Sequence, residues 1–360
     1  MRSLHVIGST QMGGADQFFV RLVEALNVAG HEAVALDRAG SPIARALAGT
    51  PVRQLHLPLA NKWDAYSAWR LRRLVAREGF DVVQSYMGRA TRLTRLPPRG
   101  RAVHIARLGG YYKIRGYYGH AHAWVGNTRG LCDWLVQQGL PAARVFLIGN
   151  FVPDPAPADP AALAAVRTQL GLPADARVIF TLGRFIGIKG FDDLLDAFAA
   201  LPAAPGGQPL HLVIGGDGEL RAALQAQAER LGIAARTHFP GWLAAPGPYY
   251  HLAEIMVCPS RHETLGNVIL EAWSYRKPVV ATRSPGACEL IIDDANGLLC
   301  PVADPPALAA RLRELLDAGS AARARLADAG HACVEREHGR AAVLARYLEL
   351  YAQLRAERGH

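Results

Sequence analysis

Two carboxylates stand eight positions apart in the stretch SRHETLGNVILEAW, residues 260–273. Glu263 falls in what reads as a loop, and Glu271 lies about two turns on, inside an apolar run. Carboxylate oxygens are strong acceptors that suit pairs of hydroxyls. Glu263 would hold sugar hydroxyls, and Glu271 both hydroxyls of a ribose. Surface solvation is the competing reading. It fits poorly for Glu271, which is set among Val268, Ile269, Leu270, Ala272 and Trp273. The helix start around Thr264, Leu265, Gly266 and Asn267 would aim backbone N–H groups, and about half a positive charge of dipole, at a bound anion.

The anion's other partners are sought at strand ends. In TLGRFIGIKG the strand RVIFTL stops at Gly183, and Arg184 and Lys189 follow five apart. A surface ion pair is one reading of these cations. The other is a diphosphate neutralised without a metal, with Arg as a planar fork and Lys as a point charge. In STQMGGADQF the pair Gly13 and Gly14 precedes a helix, so backbone can approach a ligand closely there. A glycine pair alone is usually only a turn, and this is not the G-x-G-x-x-G dinucleotide fingerprint. Asp217, in IGGDGELR, reads as a helix N-cap. His262 beside Glu263 reads as a bystander.

These pieces need elements to hold them. Short apolar strands alternate with helical patterns twice over: LHVIGS, HEAVALD, DVVQSY, AVHIARL and HAWVGNT, then RVIFTLG, LHLVIGG, HFPGW, EIMVCPS and PVVAT. Between the two series NFVPDPAPADP has four prolines in eleven residues and reads as a linker. Strand–helix alternation with right-handed crossovers builds parallel sheets covered on both faces. The expected fold class is α/β, with two doubly wound Rossmann-like domains facing across a cleft. The expected bounds are 1–152 and 153–339, with a last helix at about 340–360 crossing back to the first domain. Ligands of such sheets bind beyond the carboxyl ends of the strands.

The chain of 360 residues carries a net charge of +9. No acid lies between Asp81 and Asp133, whereas Arg89, Arg92, Arg95, Arg99, Arg101, Arg107, Lys113, Arg115 and Arg129 do. Scattered solvated arginines are one reading of this window. A face for an anionic acceptor or an anionic lipid surface is the other. Arg107, Lys113 and His120 are the candidate acceptor-side contacts. The tyrosines of the window come without any nucleic-acid-binding pattern, so no nucleic acid partner is expected. Five cysteines without C-x-x-C spacing read as buried thiols, not as a disulfide framework or zinc site. LHVIGS reads as a strand and not as a signal peptide, and no apolar run approaches the roughly 20 residues of a membrane span. The expected location is the cytoplasm, with peripheral attachment at the inner membrane.

Glu263 and Glu271 match the E-x7-E signature of the retaining glycosyltransferases of the family 4 type, which have the GT-B fold. GRFIGIKG resembles that family's phosphate loop, LIGNFV its segment before the linker, and KPVVATRSPGACELI with NGLLCPVAD its usual continuation. The resemblance is continuous over about residues 176–305. It implies a nucleotide-diphospho-sugar donor, metal-independent transfer with retention and no cofactor. It implies that Arg184 and Lys189 bind the phosphates, that Glu271 holds the ribose and Glu263 the donor sugar, and that Gly14 lies near the diphosphate. PGWL around Trp242 resembles the segment flanking the base. The acceptor expected on this basis is an envelope glycan or lipid-linked saccharide. Two departures stand out. Relatives carry a His near the position of Leu108, and a Gly where this chain has Arg276. A sugar-nucleotide epimerase, a phosphorylase and a non-catalytic nucleotide- or glycan-binding module are the alternatives. A dinucleotide oxidoreductase is the weakest of them.

Overall fold

A computed structural model describes residues 1–96 and 100–358; Arg99 of the basic window lies outside the described residues. The chain divides into two compact units. One is Met1–Phe151 with the segment from Glu337 onward, and the other is Val152–Arg336. Each is built on one parallel sheet.

The first unit's strands are β1 (Arg2–Val6), β2 (Glu32–Asp37), β3 (Gln54–His56), β4 (Val82–Tyr86), β5 (Val103–Leu108), β6 (Ala123–Gly126) and β7 (Val145–Leu147), in the order β3-β2-β1-β4-β5-β6-β7. The second unit's strands are β8 (Arg177–Leu182), β9 (Leu210–Gly215), β10 (Thr237–Gly241), β11 (Ile255–Cys258), β12 (Val279–Thr282) and β13 (Leu298–Cys300), ordered β10-β9-β8-β11-β12-β13. Near-continuous apolar runs such as Val178–Phe180 and Leu210–Ile214 are buried, as strands covered on both faces require. In both sheets the winding reverses beside the first strand, between β1 and β4 and between β8 and β11. Such a reversal opens a crevice at the strands' carboxyl ends.

The helix Arg340–Ala356 packs on the first unit, burying Val343, Tyr347, Leu350, Tyr351 and Leu354 in its core. A chain of buried polar groups runs beneath it. Tyr351 donates to Gln84 Oε1 at 2.6 Å, Gln84 donates to the Tyr86 hydroxyl at 2.7 Å, and that hydroxyl meets His5 Nδ1 at 3.0 Å. Burial pushes His5 down to about 3, so it stays neutral. A second histidine group joins β4, β5 and the segment before β6. His104 Nε2 bonds Ser85 at 2.8 Å, and its backbone N–H donates to His122 Nδ1 at 2.9 Å. Burial, followed by the Arg358 charge, lowers His122 to about 4. Among the described residues no helix is long and apolar enough to cross a membrane. No disulfide joins the cysteines among the described residues; Cys258 and Cys300 are buried, Cys132 and Cys333 half-buried and Cys288 exposed, contrary to the expectation of five buried thiols.

Two glycines let strand-end loops touch. Gly190, at φ +65°, passes so close to the loop after β11 that a Cβ would stand 2.2 Å from the Pro259 carbonyl oxygen. Gly216, at φ +128°, does the same against Gly183, with 1.9 Å to its oxygen. Asp217, expected as a helix N-cap, is not one. The helix starts later, at Arg221–Arg230, and the Asp217 carboxylate instead accepts from the Gly218 N–H at 2.8 Å.

Two outcomes follow from this packing. Gly190→Ala should destabilise the second unit by roughly 2–5 kcal/mol, combining left-handed strain with overpacking; urea unfolding measures it, and a wild-type midpoint contradicts the close approach. The lowered histidines take up protons in the unfolded chain before the folded one. Their contribution to stability is therefore complete above pH 6.5 and is lost as pH falls toward about 4. His122→Asn keeps an acceptor for the His104 N–H but cannot titrate, so its melting temperature should fall less steeply than wild type's across that window.

Candidate functional site

The second unit's site grows from the reversal between β8 and β11. After β8 the chain turns through Gly183, Arg184 and the single 3-10 turn Gly187–Lys189 into the helix Phe191–Ala199. After β11 it runs through Ser260–Gly266 into the helix Asn267–Ser274. The close approach at Gly190 sets these two loops side by side. Arg261 ties them further. Its guanidinium bonds Asp192 at 2.6 Å, Asp193 at 2.8 Å and the Gly187 carbonyl at 2.9 Å, and its backbone N–H bonds the Ile188 carbonyl at 2.8 Å.

Lys189 and Glu263 therefore meet. The ammonium donates to Glu263 Oε1, and Ser260 Oγ donates to the same oxygen at 2.9 Å. The other carboxylate oxygen accepts no hydrogen bond among the described residues. Ser260 is 2% exposed and is itself fixed by Thr282, whose hydroxyl donates to its carbonyl at 2.5 Å. Arg184 is exposed and has no ion-pair partner among the described residues. The loop after β8 thus carries one exposed guanidinium and one cation matched by a carboxylate.

Glu271 sits in the second turn of its helix, half-buried, and accepts from the Tyr250 hydroxyl at 2.9 Å. Tyr250 is held by stacking on Tyr275, with ring centroids 4.9 Å apart. Trp242 stands just past β10 with 59% of its surface exposed. The helix start needs correction. Gly266 is the N-cap, at φ +83°, so Thr264 and Leu265 precede the helix. Leu265 packs into the core and offers a ligand only its backbone. Gly286 lies against that backbone and donates to the Glu263 carbonyl at 2.9 Å. Sequence reasoning missed Ser260, Tyr250 and Arg261. Ser260 and Arg261 lie in the stretch that carries Glu263, whereas nothing in the sequence links Tyr250 to Glu271. Arg276, where a Gly was the usual residue, has φ +51° just past the helix end, the conformation glycine adopts most readily.

In the first unit Gly13 caps the helix Gly14–Val28, and Gly14 is exposed. The Gly13 N–H is already taken by the Asp16 carboxylate at 2.8 Å. Arg107 is not a surface contact. It is 2% exposed, stacked 3.9 Å over Phe18 and bonded to Asn150 and to Tyr347 at 3.1 Å. A guanidinium taken from water needs such partners, so Arg107 serves the interior. His120 is half-buried and bonds the Thr91 and Thr94 carbonyls at 2.9 and 3.1 Å. Lys113 is exposed. Leu108 is fully buried among Ile114, Tyr118 and Trp124, with nothing to offer a polar ligand. Among the described residues no three His, Cys, Asp or Glu side chains are grouped to hold a metal.

Residues 164–332 match the family model of glycosyl transferases group 1, and residues 12–154 that of glycosyltransferase family 4. LpsE of Rhizobium meliloti, a lipopolysaccharide core biosynthesis glycosyltransferase, is 33% identical over 341 residues, 94% of this chain and 96% of its own. A glycosyltransferase from Rickettsia africae superposes with a TM-score of 0.87 at 17% identity, over 98% of each chain. Anabaena HepE, solved in complex with UDP-glucose, superposes with a TM-score of 0.81 at 20% identity, over 98% of this chain and 100% of its own. The architecture is GT-B, and the chain belongs to the family 4 glycosyltransferases.

Proposed function

We propose that this glycosyltransferase moves a hexose-type sugar from a nucleotide diphosphate to a saccharide of the lipopolysaccharide core, with retention at the anomeric carbon and without a metal. The observation that carries the reading is the Lys189–Glu263 pair beside an uncommitted Arg184, at the carboxyl ends of β8 and β11. The match to LpsE along nearly its whole length supports the acceptor class.

In this reading Arg184 and Lys189 grip the donor's diphosphate. As the bond from the anomeric carbon to the phosphate oxygen breaks, its electron pair leaves on the diphosphate, where the two cations balance the added charge. Glu263, relieved of Lys189, accepts from the donor sugar's hydroxyls near the reacting carbon. Ser260 keeps one of its oxygens in place. Glu271, oriented by Tyr250, accepts from the ribose, and Trp242 flanks the base. An acceptor hydroxyl then forms the new bond on the face that the diphosphate leaves, and its proton passes to the departing phosphate oxygen.

A thermal-shift panel of UDP, GDP, ADP and CDP and their sugars identifies the donor. A ligand at a hundred times its Kd adds about 2.7 kcal/mol of stability, and no shift with any of them would overturn the reading. Arg184→Ala should slow transfer about 10–100-fold, the loss of one charge-assisted bond; turnover like wild type's means the phosphate assignment is wrong. Full activity in excess chelator and an unchanged anomeric configuration by proton NMR are the expected results for metal independence and retention. Conversion of donor without acceptor would point to an epimerase instead.

A further inference from the structure

Two guanidiniums of the first unit converge on one backbone oxygen. Arg38 follows β2, and Arg89 lies in the helix Met87–Leu93 that follows β4. Arg38 Nη1 donates to the Leu59 carbonyl at 3.2 Å. Arg89 Nη1 donates to the same carbonyl at 3.1 Å and to that of Gly8 at 3.2 Å. Both arginines are half-buried, and neither has an ion-pair partner among the described residues. The acids nearby are bonded elsewhere. Asp37 holds His56 Nδ1 at 2.6 Å, and Asp64 accepts from the Ala60 and Ser67 N–H groups while capping the helix Ala65–Glu78. Asp64 feels the Arg38 charge without pairing with it. Leu59 has φ +41°, a left-handed conformation that bulky residues rarely take. Its N–H donates to Ser67 Oγ at 3.0 Å, so the residue is pinned on both sides. Strain of this kind persists where the surroundings over-determine it, as at ligand clamps.

From this cluster we propose that the first unit binds a phosphoryl group of the acceptor saccharide between Arg38 and Arg89. The inference rests on the reading of the chain as a lipopolysaccharide-core glycosyltransferase, and it names the class of acceptor taken, a phosphorylated saccharide. Like charges repel, and two half-buried guanidiniums held at one oxygen with no acid between them leave an anion as the missing partner. A neutral sugar would leave both charges unmatched. Each guanidinium has five N–H groups. Arg89 uses two on carbonyls and Arg38 uses one, so most of them remain for a ligand. The shared carbonyl fixes the spacing of the two forks. A tetrahedral phosphoryl group offers an oxygen to each fork, whereas a planar carboxylate is matched by one. The place fits as well. The cluster lies beyond the carboxyl ends of β1, β2 and β4, beside the reversal between β1 and β4, where ligands of such sheets bind. Gly8, at the end of β1, keeps the approach open, since a Cβ there would stand 3.4 Å from Arg89 Cδ and 3.6 Å from Leu59 Cβ.

Two probes test this without any nucleotide sugar: inorganic phosphate, and soluble core oligosaccharide with and without alkaline phosphatase treatment. Phosphate should raise the melting temperature of wild type and of Arg184→Ala, but not of Arg38→Gln with Arg89→Gln. By isothermal titration calorimetry, wild type should bind the phosphorylated oligosaccharide about tenfold more tightly than the dephosphorylated one. Each single Gln variant should lose about tenfold in affinity for the phosphorylated form, one charge-assisted bond, and little for the other. Arg38→Lys with Arg89→Lys keeps the charge and a donor for the Leu59 carbonyl but not the fork, and should fall between. If the Gln pair fails to fold, the wild-type comparison and the Lys pair decide. Equal wild-type affinity for the two oligosaccharides overturns the proposal, as does a variant pair that discriminates between them like wild type. A phosphate shift lost in Arg184→Ala and kept in the Gln pair places the anion on the nucleotide-sugar side and overturns it too. A phosphate shift that needs Arg38 and Arg89, with neither oligosaccharide bound, leaves the phosphate site standing and overturns the acceptor class proposed for the enzyme.

Discussion

The second unit depends on one close backbone approach. Gly190 and the Pro259 carbonyl stand where no side chain fits between them, and that contact lets the loops after β8 and β11 lie edge to edge. Lys189 and Glu263 are 74 residues apart in sequence, yet they form a part-buried ion pair. Such a pair is a poor source of net stability, since each charge must be taken from water. Its worth lies in position. A carboxylate with one oxygen held by both Ser260 and Lys189 is fixed in orientation.

The two units use buried polarity differently. In the second, the polar groups gather at the strand ends and stay partly open to solvent. In the first, they thread the interior: His5, Tyr86, Gln84 and Tyr351 bond one to the next, and Arg107 lies under Tyr347. Burial there raises the tyrosines and lowers His5, so these groups stay neutral across the physiological range. They fix register between sheet and helix, since a slip of either would strand several polar groups without partners.

The fold was legible because parallel strands buried on both faces leave near-continuous apolar runs, and most of the longer strands were read from them. The short edge strands β3 and β7 carry too few residues to make a pattern. The helix Ala65–Glu78 escaped because its core stripe is thin among arginines and exposed aromatics. At the site, residue type and spacing pointed to Arg184, Lys189, Glu263 and Glu271. What they could not show was which partners these residues take. Nothing in sequence ties Tyr250 to Glu271, and nothing in the basic window tells buried Arg107 from its exposed neighbours. Burial is a property of packing, and identical letters meet opposite surroundings.

The returning helix orders events during synthesis. Five of its side chains complete the first unit's core, so that core stays open while some 185 residues of the second unit are being made. The second unit, continuous in sequence, can close as soon as it leaves the ribosome. In an N-terminal-first order of folding, the half translated first still lacks these core side chains until residues 340–356 emerge.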